Sequence, residues 1–153
     1  MREKESKPMP LTRDEDIYEL LANARTIAMV GASDRPDRPS YGVMKFLQDR
    51  GYRVIPVNPQ LTGERIHGEF VWRELSQIGE PIDIVDIFRR PNAAGEAVDE
   101  AIAVGAKAVW LQIGVINEEA AARAEAAGLK VVMDHCPKIE IPRLGVPKVG
   151  QEA

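Results

Sequence analysis

The chain has 153 residues, 44% hydrophobic and 29% charged, the size and balance of one globular domain with a single core. A formal net charge of −4 excludes a surface that attracts nucleic acid as a whole, so any anion must be met by a local basic cluster. The lone cysteine, Cys136, excludes an internal disulfide and a multi-cysteine metal site, and no apolar run approaches the ~18 residues that span a bilayer.

The charged start through Pro10 reads as a flexible tail without the apolar segment of a secretory signal, which points to a reduced, cytoplasmic setting. Thr12 is the expected cap of a short amphipathic helix, with Glu15 three residues on and Ile17, Leu20 and Leu21 sharing a face. From Thr26 onward the text repeats. Apolar runs rich in Val and Ile occupy residues 26–30, 53–57, 83–88, 106–111 and 130–133. They are nearly continuous, as strands buried on both faces must be. Helical patterns lie between them, over 41–50, a short 70–77, 92–104 and 117–127, with Gly51, Gly105 and Gly128 as stop signals. Asn92 and Asn117 are the candidate N-caps. Residues 139–153, with Pro142 and Pro147, read as an irregular surface tail.

Strands alternating with helices over short connections predict a single α/β domain with its core over about residues 13–140. The expected architecture is a Rossmann-like open parallel five-stranded sheet in the order 3-2-1-4-5, with helices on both faces. Ligands of such sheets bind at the carboxyl ends of the strands. The candidate residues are therefore those that follow each apolar run.

After Val30 stand Gly31, Ala32 and Ser33, then Arg35, Arg38 and Ser40. The glycine permits a tight turn, the amides can hold phosphate oxygens, and the arginines add charge. A dinucleotide fingerprint would need two further glycines, and they are absent. After Val57 stand Asn58 and Pro59, where NAD-binding domains carry an acid for the ribose hydroxyl. An ordinary NAD site is thereby disfavoured, while NADP remains open because arginines could meet a 2′-phosphate. Phe88, Arg89 and Arg90 follow the third run; Phe88 could lie against a purine or ribose, and Arg89 could fork onto phosphate or pair with Asp86 or Glu96. Gln112, Ile113 and Gly114 follow the fourth run and offer polar contacts and a close backbone approach.

His135 and Cys136 follow the fifth. Neighbours in an extended segment point apart, which argues against a Cys–His nucleophile pair, and His67 and His135 lack a third metal ligand nearby. No metal is expected. Cys136 is expected at the crevice, as a buried small side chain or as a redox thiol able to meet a ligand sulfur.

The segments VGASDRPDRPSYGV, YRVIPVNP, VDIFRRP, GAKAVWLQIGV and GLKVVMDHCPKIE, in that order, resemble the stand-alone bacterial CoA-binding proteins. That domain is similar to the CoA-binding domain of the succinyl-CoA synthetase alpha subunit. The resemblance runs from about Thr26 to Glu140. It implies coenzyme A or an acyl-CoA as ligand. Gly31, Ala32, Ser33, Arg38 and Ser40 would hold the phosphates, and Asn58, Pro59, Phe88 and Arg89 would flank the adenosine part. Gln112, Ile113 and Gly114 would lie along the pantetheine, and Cys136-Pro137 matches a Cys-Pro pair after the last strand. Arg90 adds to the charge that coenzyme A's pyrophosphate and 3′-phosphate demand. The synthetase continues into a domain with a phosphorylated histidine that this sequence does not contain, so ligase activity is not implied without a partner chain. The expected role is a non-catalytic carrier, sensor or regulator of CoA, with a homodimer or an unknown protein partner open. An NADP-linked oxidoreductase, or the CoA-binding subunit of an acyl-CoA ligase, is the alternative.

Overall fold

The computed structural model of the chain describes residues 9–151. Five strands, β1 (Thr26–Val30), β2 (Arg53–Val57), β5 (Ile84–Ile87), β6 (Ala108–Leu111) and β7 (Lys130–Met133), form a single sheet, every neighbouring pair parallel. A hairpin of β3 (Arg65–Ile66) and β4 (Glu69–Phe70) lies between β2 and β5 in the chain. The helices are α1 (Asp14–Asn23), α2 (Pro39–Asp49), α3 (Pro91–Ala103), α4 (Glu118–Ala126) and α5 (Pro137–Leu144).

Alternation along the strands sends side chains to two separate cores. Val30, Ile55, Val85, Val109 and Val131 pack with the alanines of α3 and α4 on one face. Ile27, Val54, Ile84, Trp110 and Val132 pack with Ile17, Met44, Leu47 and Ile141 of α1, α2 and α5 on the other. Ala94, Ala97, Val98 and Ala101 recur with helical spacing, and their small size lets α3 lie close to the sheet and to α4. The chain is thus an α/β Rossmann-like domain with helices on both faces.

The strand order is β2-β1-β5-β6-β7, which corrects the expected 3-2-1-4-5: the third long strand lies beside β1, not outside β2. The reason is legible in Pro56. A proline within a strand has no N–H for a second neighbour, so β2 belongs at an edge. Its outer side is closed by Trp72, whose N–H donates to the Pro56 carbonyl at 3.0 Å and whose carbonyl accepts Asn58 N–H at 2.9 Å. The short helix expected over 70–77 is instead β4 followed by a 3₁₀ turn, Leu75–Gln77.

The remaining boundary corrections concern helix ends. Arg13, not Thr12, precedes α1 and gives no side-chain cap; Asp14, Glu15 and Asp16 complement the helix dipole instead. Pro91 opens α3, because its fixed φ suits a first helical position, so Asn92 is inside the helix. Asn117 does cap α4, its side chain accepting Ala120 N–H. The expected irregular tail holds α5, stopped by Gly145 at φ +72°. Ile141 and Val146 anchor this segment in the core, and Arg143 bridges Glu140 to Asp14 of α1. The expected N-terminal tail over residues 1–8 lies outside the described residues.

Candidate functional site

The sheet changes winding direction between β1 and β5, and a cavity of about 760 Å³ opens at the carboxyl ends of the strands there. It extends from Asn58 after β2 to Cys136 after β7. Five strands at their ordinary spacing make that span about 19 Å, so the cavity suits an elongated ligand.

Its walls are locally basic. Among the described residues Arg35, Arg38, Arg89 and Arg90 line it, and no acidic side chain does. Arg35 shares its charge with Asp37 across 3.5 Å, whereas Arg38, Arg89 and Arg90 make no ion pair among the described residues. Arg89 in particular does not pair with Asp86 or Glu96.

Two of these arginines sit where helix stability would not put them. Arg38 is the N-cap of α2 and Arg90 the N-cap of α3; neither caps its helix with a side chain, and a proline follows each. A helix N-terminus carries partial positive charge and unsatisfied N–H groups, so a cation there is unfavourable by itself. An anion seated between the guanidinium groups and the amides reverses the sign of that interaction.

The β1–α2 turn adds donors. Gly31 has φ +86°, and a Cβ there would come within 2.2 Å of the Phe88 carbonyl, so only glycine allows β1 and β5 to end this closely together. Its own N–H already donates to the Val57 carbonyl at 2.9 Å, which removes it from ligand binding. Ser33 lines the cavity, and its hydroxyl accepts Arg35 N–H at 3.1 Å, shaping the turn. Ser40 lines it from the first turn of α2, 3% exposed.

Asn58 is also partly engaged. Its Nδ2 donates to the Ala32 carbonyl at 2.7 Å and its Oδ1 accepts Gln60 N–H at 2.8 Å. The side chain therefore ties the β1 and β2 loops together at the cavity rim. Gln112 presents the opposite case: it lines the cavity, and its Oε1 is buried with no hydrogen-bond partner among the described residues. A buried amide oxygen in that state calls for an N–H donor.

Of the fourteen residues expected at the site, twelve line this cavity. Ala32 is fully buried and contributes its carbonyl to Asn58 from outside the lining, and Pro59 is exposed at the start of a 3₁₀ turn outside the lining. Pro39, Val43, Pro91 and Val115 line it without having been expected there. The helix pattern around Val43 and Met44 signals a buried face but not which side chain reaches past the core to the crevice. His135 does not line the cavity. Its Nδ1 lies 2.8 Å from the Met133 carbonyl, and no hydrogen bond joins the ring to Cys136 among the described residues. Among the described residues no group of three His, Cys, Asp or Glu could hold a metal ion, and no helix is long and apolar enough to cross a membrane.

The CoA binding domain family matches residues 25–142. The uncharacterized protein YneT of Bacillus subtilis is 41% identical over 124 residues, 81% of this chain and 90% of that protein. The solved structure of a hypothetical protein from Pyrococcus horikoshii OT3 is 40% identical, with a TM-score of 0.84 over 93% of this chain and 99% of that one. The apo dinucleotide forming acetyl-coenzyme A synthetase 1 of Ca. Korarchaeum cryptofilum aligns with a TM-score of 0.66 at 23% identity, over 76% of this chain and 27% of that one. At that identity the likeness is one of fold.

Proposed function

The chain belongs to the CoA binding domain family, and on that premise we propose that it binds coenzyme A or an acyl-CoA in the crevice at the carboxyl ends of the strands. The nucleotide half lies toward β2, β1 and β5, between Asn58, Phe88 and the arginines. Its phosphates meet Arg38, Arg89 and Arg90 and the uncapped first turns of α2 and α3. The pantetheine runs over Gln112, Ile113 and Gly114, and the thiol end approaches Cys136.

The observation that carries this reading is the pair of cationic N-caps, Arg38 and Arg90, on one cavity that no acidic side chain lines among the described residues. Coenzyme A brings a pyrophosphate and a 3′-phosphate, enough negative charge for that arrangement. Gln112 fits the same ligand: the pantetheine amides supply N–H donors for its Oε1, which has no partner among the described residues. The role is binding, as a carrier, sensor or regulator. A nucleophile with a base beside it would argue for chemistry, and the only thiol on the cavity wall, Cys136, has its neighbouring imidazole turned to a backbone carbonyl.

Calorimetric titration of the purified protein with CoA, NADPH and NADH tests the proposal. CoA is expected to bind tightest; tighter binding of NADPH would overturn it.

A further inference from the structure

Asp134 is one of two non-glycine residues with positive φ among those described, at +64°. Aspartate tolerates this region better than most residues, yet it is sparsely populated and persists where surrounding contacts hold it. Here the contact is visible. Asp134 Oδ1 accepts the N–H of Gly114 at 2.8 Å, across from the β7–α5 turn to the β6–α4 loop. Gly114, at φ +83°, lies in the segment Gln112–Val115 that forms one wall of the cavity. Asp134 itself does not line the cavity.

The two partners are unequally anchored. The β7–α5 turn is held on β6 by Trp110, fully buried, whose Nε1 donates to the His135 carbonyl at 2.8 Å. Asp134 N–H also donates to the Leu111 carbonyl at 2.8 Å. The segment carrying Gly114 is tied at its two ends, by Gln112 N–H to the Ile87 carbonyl at 3.3 Å and Val115 N–H to the Gln112 carbonyl at 2.8 Å, while Ile113 and Gly114 between them are exposed. The β7–α5 turn therefore lends its carboxylate to the exposed middle of that segment through a charge-assisted hydrogen bond.

We propose that Asp134 is a positioning residue: through the Gly114 N–H it fixes the Gln112–Gly114 wall in the conformation that receives the pantetheine half of coenzyme A. The inference rests on the coenzyme A reading above. It assigns to a side chain outside the cavity control over one half of the ligand and not the other.

The test compares CoA with adenosine 3′,5′-bisphosphate, which keeps the nucleotide and lacks the pantetheine, on wild type, Asp134→Ala, Asp134→Gly and Asp134→Asn. Asp134→Gly keeps the positive φ and loses the bond; Asp134→Asn keeps an oxygen acceptor and tolerates the same φ. The Ala and Gly variants are expected to bind CoA about tenfold more weakly, the size of one charge-assisted bond, with less than about twofold change for the bisphosphate. Asn is expected to restore most of the CoA affinity. Gly114 amide exchange should accelerate in Ala and Gly, reporting the lost bond without any ligand. Should Ala fail to fold, Gly and Asn carry the comparison. Wild-type CoA affinity in Asp134→Gly, or equal losses for both ligands, would overturn the proposal. A wild-type protein that binds the bisphosphate but gains nothing from the pantetheine would overturn it too, whereas one that binds neither ligand sinks the coenzyme A reading itself.

Discussion

Arg38 and Arg90 occupy matching places in the fold: each is the extended residue immediately before a proline that opens a helix, and the two helices, α2 and α3, lie on opposite faces of the sheet with their N-termini on one cavity. Neither helix gains from the arrangement. The fold has put positive charge where its own stability asks for a neutral or acidic cap, and binding and stability should therefore respond in opposite directions.

Arg38→Asn and Arg90→Asn test that opposition. Each supplies a side-chain oxygen to an uncapped helix and removes a cation from the positive end of its dipole, so each ligand-free variant should gain about 0.5–1 kcal/mol. Each should bind CoA roughly tenfold or more weakly. Thermal melts without ligand and titration calorimetry read the two effects separately. A variant with weaker binding and weaker folding would mean that the arginine serves the fold.

Gly31→Ala should be severe. The added Cβ meets the Phe88 carbonyl, a backbone atom that cannot swing aside, and φ +86° is strained for alanine. A loss of about 2–5 kcal/mol in urea unfolding is expected. A loss under 1 kcal/mol would show that the ends of β1 and β5 can separate.

Asn58→Asp keeps the oxygen that accepts Gln60 N–H and loses the donor to the Ala32 carbonyl, setting a carboxylate against a carbonyl oxygen. It should lower stability by about 1–3 kcal/mol and weaken CoA binding by adding negative charge at the nucleotide end. Melting and calorimetry on the one variant measure both. Unchanged CoA affinity would separate Asn58 from the ligand.

Asp86 lies in the centre of the sheet, in register with Met29 and Trp110, fully buried, with both carboxyl oxygens unpartnered among the described residues. Burial pushes its pKa well above the ordinary value. The folded state holds the proton more tightly than the unfolded chain does. The ionisation of Asp86 therefore costs the fold nothing below the unfolded pKa, and stability is lost as pH rises from there to the folded pKa. Asp86→Asn should flatten that fall and be the more stable protein at the alkaline end of the window. Parallel pH slopes of unfolding free energy for wild type and variant would show that Asp86 does not titrate as argued.

The sequence alone determined the fold class, because near-continuous Val and Ile runs separated by helical spacing leave few arrangements other than a parallel sheet covered on both faces. It also placed most cavity-lining residues, since a parallel sheet sends every strand's following loop to the same edge. Two things needed the folded molecule. Strand order depends on which edges are left unpaired; Pro56 held that information, but only the seating of Trp72 along β2 made it visible. The division of labour within the site depends on contacts between residues far apart in the chain, as when Asn58 turns its amide to Ala32 and Asp134 holds Gly114 from outside the cavity. Periodicity reports which way a segment faces, being a local property of the backbone. Which polar groups are satisfied, and which are left for a ligand, is decided only when distant segments meet.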